Sequence, residues 1–359
     1  MAAYTAIDDS EARFQCKLYT GTGSSQAITL DGDTDMQPDI VWIKNRSTSD
    51  SHNLYDAIRG VQDIIYPDST AAEYTNSGGL TAFGSDGFTV NTDNEVNKSS
   101  SSHVAWCWKA NGSGSSNTDG SINTAATSVN TTSGVSINTF TGSGSAATIG
   151  HGLGAVPKFI ISKETGGSNA WYVYHVANGN THGLRLSSND AKEDDATLWN
   201  DTTPTSTVYS VGSNTGTNDS TAMVSYVFAP KQGFSAMNAY TGNGNADGPF
   251  VPLTFRPAWV LLKRTDSTSN WSLHDNRRTG STKGSTIGKA NPMELLLHPD
   301  LSNGEANVSD GGYSIDGLAN GFKIRSSSAN INASGGTYIY AAFADAPLVN
   351  SNGVPCNAM

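Results

Sequence analysis

Tyr19-Thr20-Gly21-Thr22-Gly23, Phe140-Thr141-Gly142-Ser143-Gly144 and Tyr240-Thr241-Gly242-Asn243-Gly244 are one phrase written three times. Recurrence at a period near 100 residues means that one supersecondary unit has been copied, so the fold question reduces to a single module of roughly 100 residues. Each copy continues into a proline and an apolar run that closes on lysine: Pro38-Asp39-Ile40-Val41-Trp42-Ile43-Lys44, Pro157-Lys158-Phe159-Ile160-Ile161-Ser162-Lys163 and Pro257-Ala258-Trp259-Val260-Leu261-Leu262-Lys263. Eight residues on stands His52, Trp171 or Trp271; ten on, Leu54, Val173 or Leu273; twelve on, Asp56, His175 or Asp275. Each copy ends on another apolar run, at 103–108, 223–228 and 338–343.

The apolar runs are too short for helices and rich in β-branched and aromatic residues, so they read as strands. The run Trp171-Tyr172-Val173-Tyr174-His175 alternates, and with the loop before it predicts a β-hairpin. Charged residues make up 15% of the chain, below the ~25% of an average globular protein. Ser, Thr, Asn and the 38 glycines dominate the remainder, which suits short strands and tight turns. The expected class is all-β: three tandem β-sandwich, jelly-roll-like modules. Their expected bounds are an N-terminal arm 1–13, module one 14–110, a Gly/Ser/Thr linker 111–134, module two 135–230, module three 231–347 and a tail 348–359. A flexible 111–134 would leave module one on a longer leash than the pair formed by modules two and three.

A net charge of −11 opposes nucleic-acid binding, which needs clustered Lys and Arg against phosphates. The first residues carry neither a basic n-region nor an apolar h-region, so no secretory signal is expected. No apolar run approaches the length that spans a membrane, so a soluble protein made in a cytoplasm, without membrane insertion, is expected.

The recurrent lysines Lys44, Lys163 and Lys263 are expected to lie across a hairpin from His52, Trp171 and Trp271. There each stem would cover the aromatic face while the ammonium stays in water. Ligand contact is the alternative. Cys16 aligns with Ile137 and Met237, and Cys107 with Val227 and Ala342, so both read as core hydrophobes, a Cys16–Cys107 bridge being the alternative. Asp31, Asp33 and Asp35 have the alternation of a calcium loop, but Met36 and Trp42 stand where glycine and glutamate belong, so a solvated turn is preferred. The seven histidines show no zinc spacing, and the position shared by Asp56, His175 and Asp275 suits hydrogen bonding better than catalysis. Gly150-His151-Gly152-Leu153-Gly154 precedes a strand and reads as a turn, not a phosphate cradle. Glu193-Asp194-Asp195 could pair carboxylates for glycoside hydrolysis, yet has no counterpart in the other copies. Tyr172, Trp199 and Tyr209 could form a sugar platform or a core. No catalytic, cofactor or metal residue is assigned, and ligand-binding residues are left open.

From residue 14 to the end the chain resembles a repeat family of marine bacteriophages, cyanophages among them, described as virion structural or tail-fibre proteins. The resemblance rests on Pro38-Asp39-Ile40-Val41-Trp42-Ile43-Lys44-Asn45-Arg46, Ala105-Trp106-Cys107-Trp108-Lys109-Ala110-Asn111-Gly112-Ser113-Gly114, the segment 202–212 and Asn332-Ala333-Ser334-Gly335-Gly336-Thr337-Tyr338-Ile339-Tyr340. It implies a non-enzymatic virion protein, a tail fibre or host-facing appendage, with other virion proteins and a host glycan or protein as partners. A homo-oligomer is expected, a trimer by analogy with phage fibres. A capsid or connector decoration protein and a polysaccharide depolymerase are the competing readings.

Overall fold

A computed structural model describes residues 4–278, 291–307 and 312–356. The chain is all-β, built from antiparallel sheets and a few one-turn helices. Among the described residues, no helix is long and apolar enough to cross a membrane.

One strand order appears three times. An opening strand (Phe14–Thr20, Val135–Thr141, Ser235–Thr241) pairs with the closing strand (Ser102–Trp108, Ala222–Phe228, Thr337–Pro347). The closing strand pairs with the post-proline strand (Ile40–Asn45, Phe159–Glu164, Phe255–Arg264). That strand forms the expected hairpin with Asn53–Asp56, Tyr172–His175 or Ser272–Asp275. A smaller outer sheet repeats as well, pairing Gln26–Thr29 with Gly87–Val90, Ala147–Gly150 with Val208–Val211, and Phe250–Pro252 with Gly321–Ile324.

Every residue of Ile40–Asn45 and of Phe159–Glu164 is buried, so these strands are covered on both faces. Alternation sends Val41, Ile43, Ala105 and Cys107 against the outer sheet residues Ile28, Phe88 and Val90. Ile40, Trp42, Trp106 and Trp108 point the other way, into one core that all three repeats share. There Trp108 meets Trp259 edge-on at 5.5 Å, and Phe228 meets Phe343 at 5.8 Å. The cavity left at the centre, lined by Trp42, Trp108, Phe159, Phe228, Trp259 and Phe343 among others, is about 20 Å³, room for about one water.

Two expectations are corrected here. The 111–134 tract is no free linker: Ala126–Asn130 pairs as an extra strand with the opening strand 135–141, and Ser115 bridges Thr127. Polar, glycine-rich sequence is ordered because a neighbouring sheet edge satisfies its backbone donors and acceptors. Repeat one is therefore not on a longer leash, since its tryptophans lie in the common core. The described part of the arm, from residue 4 on, is also held, through buried Ile7 and a Thr5 hydroxyl that donates to Gln232 O at 2.8 Å. Cys16 and Cys107 are both free and buried. Cys16 pairs with Trp106 while Cys107 pairs with Gln15, so the two thiols face opposite sides of one sheet and cannot bridge.

The opening phrase has a local cause. Asn97, Asn218 and Asn332 end one-turn helices capped by Asp93, Asn214 and Ser328. Each buried amide is wrapped by the Thr-Gly-x-Gly loop. Asn218 Oδ1 accepts from Ser143 N at 2.8 Å, and its Nδ2 donates to Ser145 O at 2.6 Å and Gly212 O at 2.7 Å. Asn97 and Asn332 repeat the pattern with Thr22 N and Ser24 O, and with Asn243 N and Asn245 O. A Cβ on Gly142 would lie 1.9 Å from Asp219 O, so the first glycine permits close approach of the backbone. The second glycine of each phrase has positive φ, +73°, +66° and +69° at Gly23, Gly144 and Gly244.

Candidate functional site at the seams between repeats

Most of the recurrent polar residues meet where one repeat touches the next. At the position shared by Asp56, His175 and Asp275, each side chain reaches the closing strand of the following repeat. Tyr226 OH donates to Asp56 Oδ2 at 2.7 Å, and Trp106 Nε1 donates to Asp275 Oδ2 at 2.9 Å. His175 accepts from Ala177 N at Nδ1, which leaves its Nε2 as the donor to Tyr340 O at 3.1 Å. The contacts run one to two, two to three and three to one. The ring closes.

The position shared by His52, Trp171 and Trp271 reaches back to the preceding repeat. Trp171 Nε1 donates to Tyr66 O at 2.9 Å, Trp271 Nε1 to Arg185 O at 2.8 Å, and His52 Nε2 contacts His298 O at 3.1 Å. A backbone bond repeats beside each: Glu73 N to Thr165 O, Lys192 N to Thr265 O and Glu305 N to Arg46 O, at 2.8–3.0 Å. The hydrogen-bonding reading of the His/Asp position therefore has a geometry, though its partners lie in a different repeat.

The lysines depart from expectation. Lys44, Lys163 and Lys263 are at most 1% exposed, so their ammonium groups are not in water. Lys44 Nζ donates to Asn45 O and Thr48 O at 2.7 and 3.2 Å. Lys163 donates to Gly167 O at 3.1 Å and across the seam to Thr70 O at 3.3 Å. Lys263 donates to Ser269 O at 2.7 Å and across its seam to Asn189 O at 3.1 Å. Each staples its hairpin loop, and burial pulls all three down to about 8. Carbonyl groups converging on the strand end hold the charge that the aromatic neighbour was expected to leave in solvent.

Two seams carry a buried ionic network. Arg59 bonds Asp56 at 2.6 Å and Glu73 at 2.8 Å. Arg278, fully buried, bonds Asp275 at 2.5 Å and Glu305 at 3.2 Å, and Glu305 also takes Arg46 at 2.8 Å. Arg278 holds the Asp275 carboxyl below its ordinary range against the opposing effect of burial. Arg59, Arg278, Glu73 and Glu305 were absent from the sequence reading. The spacing Asp-x-x-Arg, in Asp56/Arg59 and Asp275/Arg278, was the available signal.

The remaining candidates are dispersed. Asp31, Asp33 and Asp35 lie exposed on a turn, Asp31 paired with Lys17. Glu193 bonds Arg185 at 2.7 Å, Asp194 is exposed, and Asp195 caps the helix Ala196–Trp199, so the three carboxylates have separate roles. Tyr172, Trp199 and Tyr209 are at most 9% exposed and form core between the sheets of repeat two, with Tyr209 OH donating to Ser225 Oγ at 2.7 Å. A sugar platform needs open rings, which these are not. His151 closes its turn by accepting from Leu153 N at 3.2 Å. No group of three His, Cys, Asp or Glu residues placed to hold a metal occurs among the described residues.

Fold and seams together define an all-β protein in which three copies of one strand arrangement close a ring around a shared aromatic core. A family described as "Domain of unknown function (DUF7483)" matches residues 9–347, and the chain belongs to that family. No curated protein and no solved structure matches it.

Proposed function

We propose that this protein is a non-enzymatic structural component of a bacteriophage virion, a tail fibre or other host-facing appendage that serves attachment. The observation that supports this reading is the use made of the recurrent polar and charged side chains. The Asp/His and His/Trp positions, two of the three recurrent lysines and the Arg46–Glu305 pair are engaged in joining repeat to repeat. Such a design suits a rigid building block presented in many copies, where avidity multiplies weak single contacts. The recurrent phage-type motifs of the sequence point the same way. Further copies of the chain would associate through the outer sheets or exposed strand edges, because the inner faces already pack against one another.

Immunogold electron microscopy of purified particles, with antibody raised against the chain, tests this. Label on the tail supports the appendage. Label over the head selects the decoration protein instead, and unlabelled particles in which the antibody detects no virion protein on a blot refute the virion reading.

A further inference from the structure

The third seam lacks the network of the other two. Asn178 stands three residues after His175, where Arg59 and Arg278 stand three after Asp56 and Asp275. Lys192 occupies the place of Glu73 and Glu305, as its backbone bond to Thr265 O shows. Strand register makes a further substitution visible. Leu18, Thr139 and Ala239 are equivalent, facing Val104, Val224 and Ile339, so this seam also has the smallest side chain at that point. A cavity of about 220 Å³ opens there, lined by Asn178, Lys192, Ala239, Thr241, Thr337 and Ile339 among others.

The lining has a definite chemistry. Asn178 is 8% exposed, and its Nδ2 is buried without a hydrogen-bond partner. An orphaned buried amide of that kind calls for an explanation, since a buried donor without an acceptor is destabilising. Lys192 is the one charged residue of the lining, which includes no Asp or Glu. At this size, below the ~300–1,000 Å³ of sites for drug-sized ligands, the cavity takes one small unit and not a chain.

We propose that this cavity binds a small hydroxylated carboxylate, of the class of a single uronic-acid sugar. Lys192 takes the carboxylate, while Asn178 and the Thr241 hydroxyl take ligand hydroxyl groups. Asn178 in place of the arginine of both sister seams and Ala239 in place of Leu18 or Thr139 make the room, and exchange of glutamate for lysine sets the sign of charge. The inference stands on this seam alone and does not depend on a virion role.

The test is a saturation-transfer NMR titration of the full chain with sodium glucuronate, and with glucose as the neutral counterpart. Glucuronate is expected to saturate in the millimolar range and glucose to bind at least about tenfold more weakly. Lys192→Gln should weaken glucuronate by about tenfold or more with an unchanged melting temperature. The double change Asn178→Arg with Lys192→Glu rebuilds the pair that fills the sister seams and should abolish binding. Ala239→Leu fills the cavity by an independent route and should do the same if the double variant does not fold. A non-saturating glucuronate signal, glucose binding as strong as glucuronate, or undiminished binding in folded Ala239→Leu would each overturn the proposal.

Discussion

Replacing Asn218 by alanine tests the reason for the repeated opening phrase. Beside a weak 3.4 Å contact with Ser143 Oγ, the amide makes three short bonds to the loop and the segment before its helix, at 2.8, 2.6 and 2.7 Å, and is fully buried. At about 1 kcal/mol net for each, their loss removes about 3 kcal/mol, a large share of a typical ~5–15 kcal/mol stability. Aspartate is a sharper probe because it keeps the shape. It retains the acceptor for Ser143 N but turns a carboxylate oxygen towards Ser145 O and Gly212 O, so it should destabilise at least as much as alanine. Urea unfolding followed by tryptophan fluorescence gives the midpoint shift at constant slope. Asn238→Ala on an exposed strand position is the control, expected within about 0.5 kcal/mol of wild type. A loss below about 1 kcal/mol for Asn218→Ala, or an Asn218→Asp protein as stable as wild type, would refute the clamp.

The close approach at Gly142 predicts that Gly142→Ala destabilises by about 2 kcal/mol or more, because the added methyl meets Asp219 O; an unchanged urea midpoint would contradict it. Burial holds His175 at about 4, below its ordinary 6.5, so the unfolded chain binds the extra proton and stability falls as pH drops from 6.5 towards 4. Against a His175→Gln variant, wild type should lose about 3 kcal/mol more across that window, and parallel stability profiles would contradict this. Lys163 is held at about 8 against 10.5, so its unfolded form keeps the proton longer and stability rises from pH 8 towards 10. Relative to Lys163→Met, wild type should gain up to about 3 kcal/mol there, read from urea midpoints; no differential gain would place the ammonium in solvent. Arg278→Met should cost about 3–5 kcal/mol by stranding the buried Asp275 carboxylate, and a smaller thermal shift for the surface change Arg264→Met is the comparison.

The strand class, the post-proline hairpin and the burial of both strand faces were legible because local residue choice fixes them. Ile40-Val41-Trp42-Ile43 is apolar at every position, which only a strand covered on both sides tolerates. The three copies were legible for the same reason, since equivalent residues face equivalent neighbours. Cys16 and Cys107 could be read as core hydrophobes from their aligned partners Ile137 and Val227. The role of the glycine phrase was half visible: the glycines stood out, but the asparagine they wrap lies 75–89 residues later, as from Ser143 to Asn218 and Asn243 to Asn332.

Only the tertiary structure decided what the seams are. Asp56 meets Tyr226 across 170 residues, Trp106 meets Asp275 across 169, and His175 meets Tyr340 across 165. Local propensity carries no information about such pairs, because nothing in one copy states which face of which other copy it will meet. Ring closure supplies that information. It supplies carbonyl partners across the seam to two of the three buried lysines, Thr70 O to Lys163 and Asn189 O to Lys263. It made two seams ionic while leaving the third with an unfilled cavity, whereas the 111–134 tract is ordered by a local hairpin with the strand that follows it.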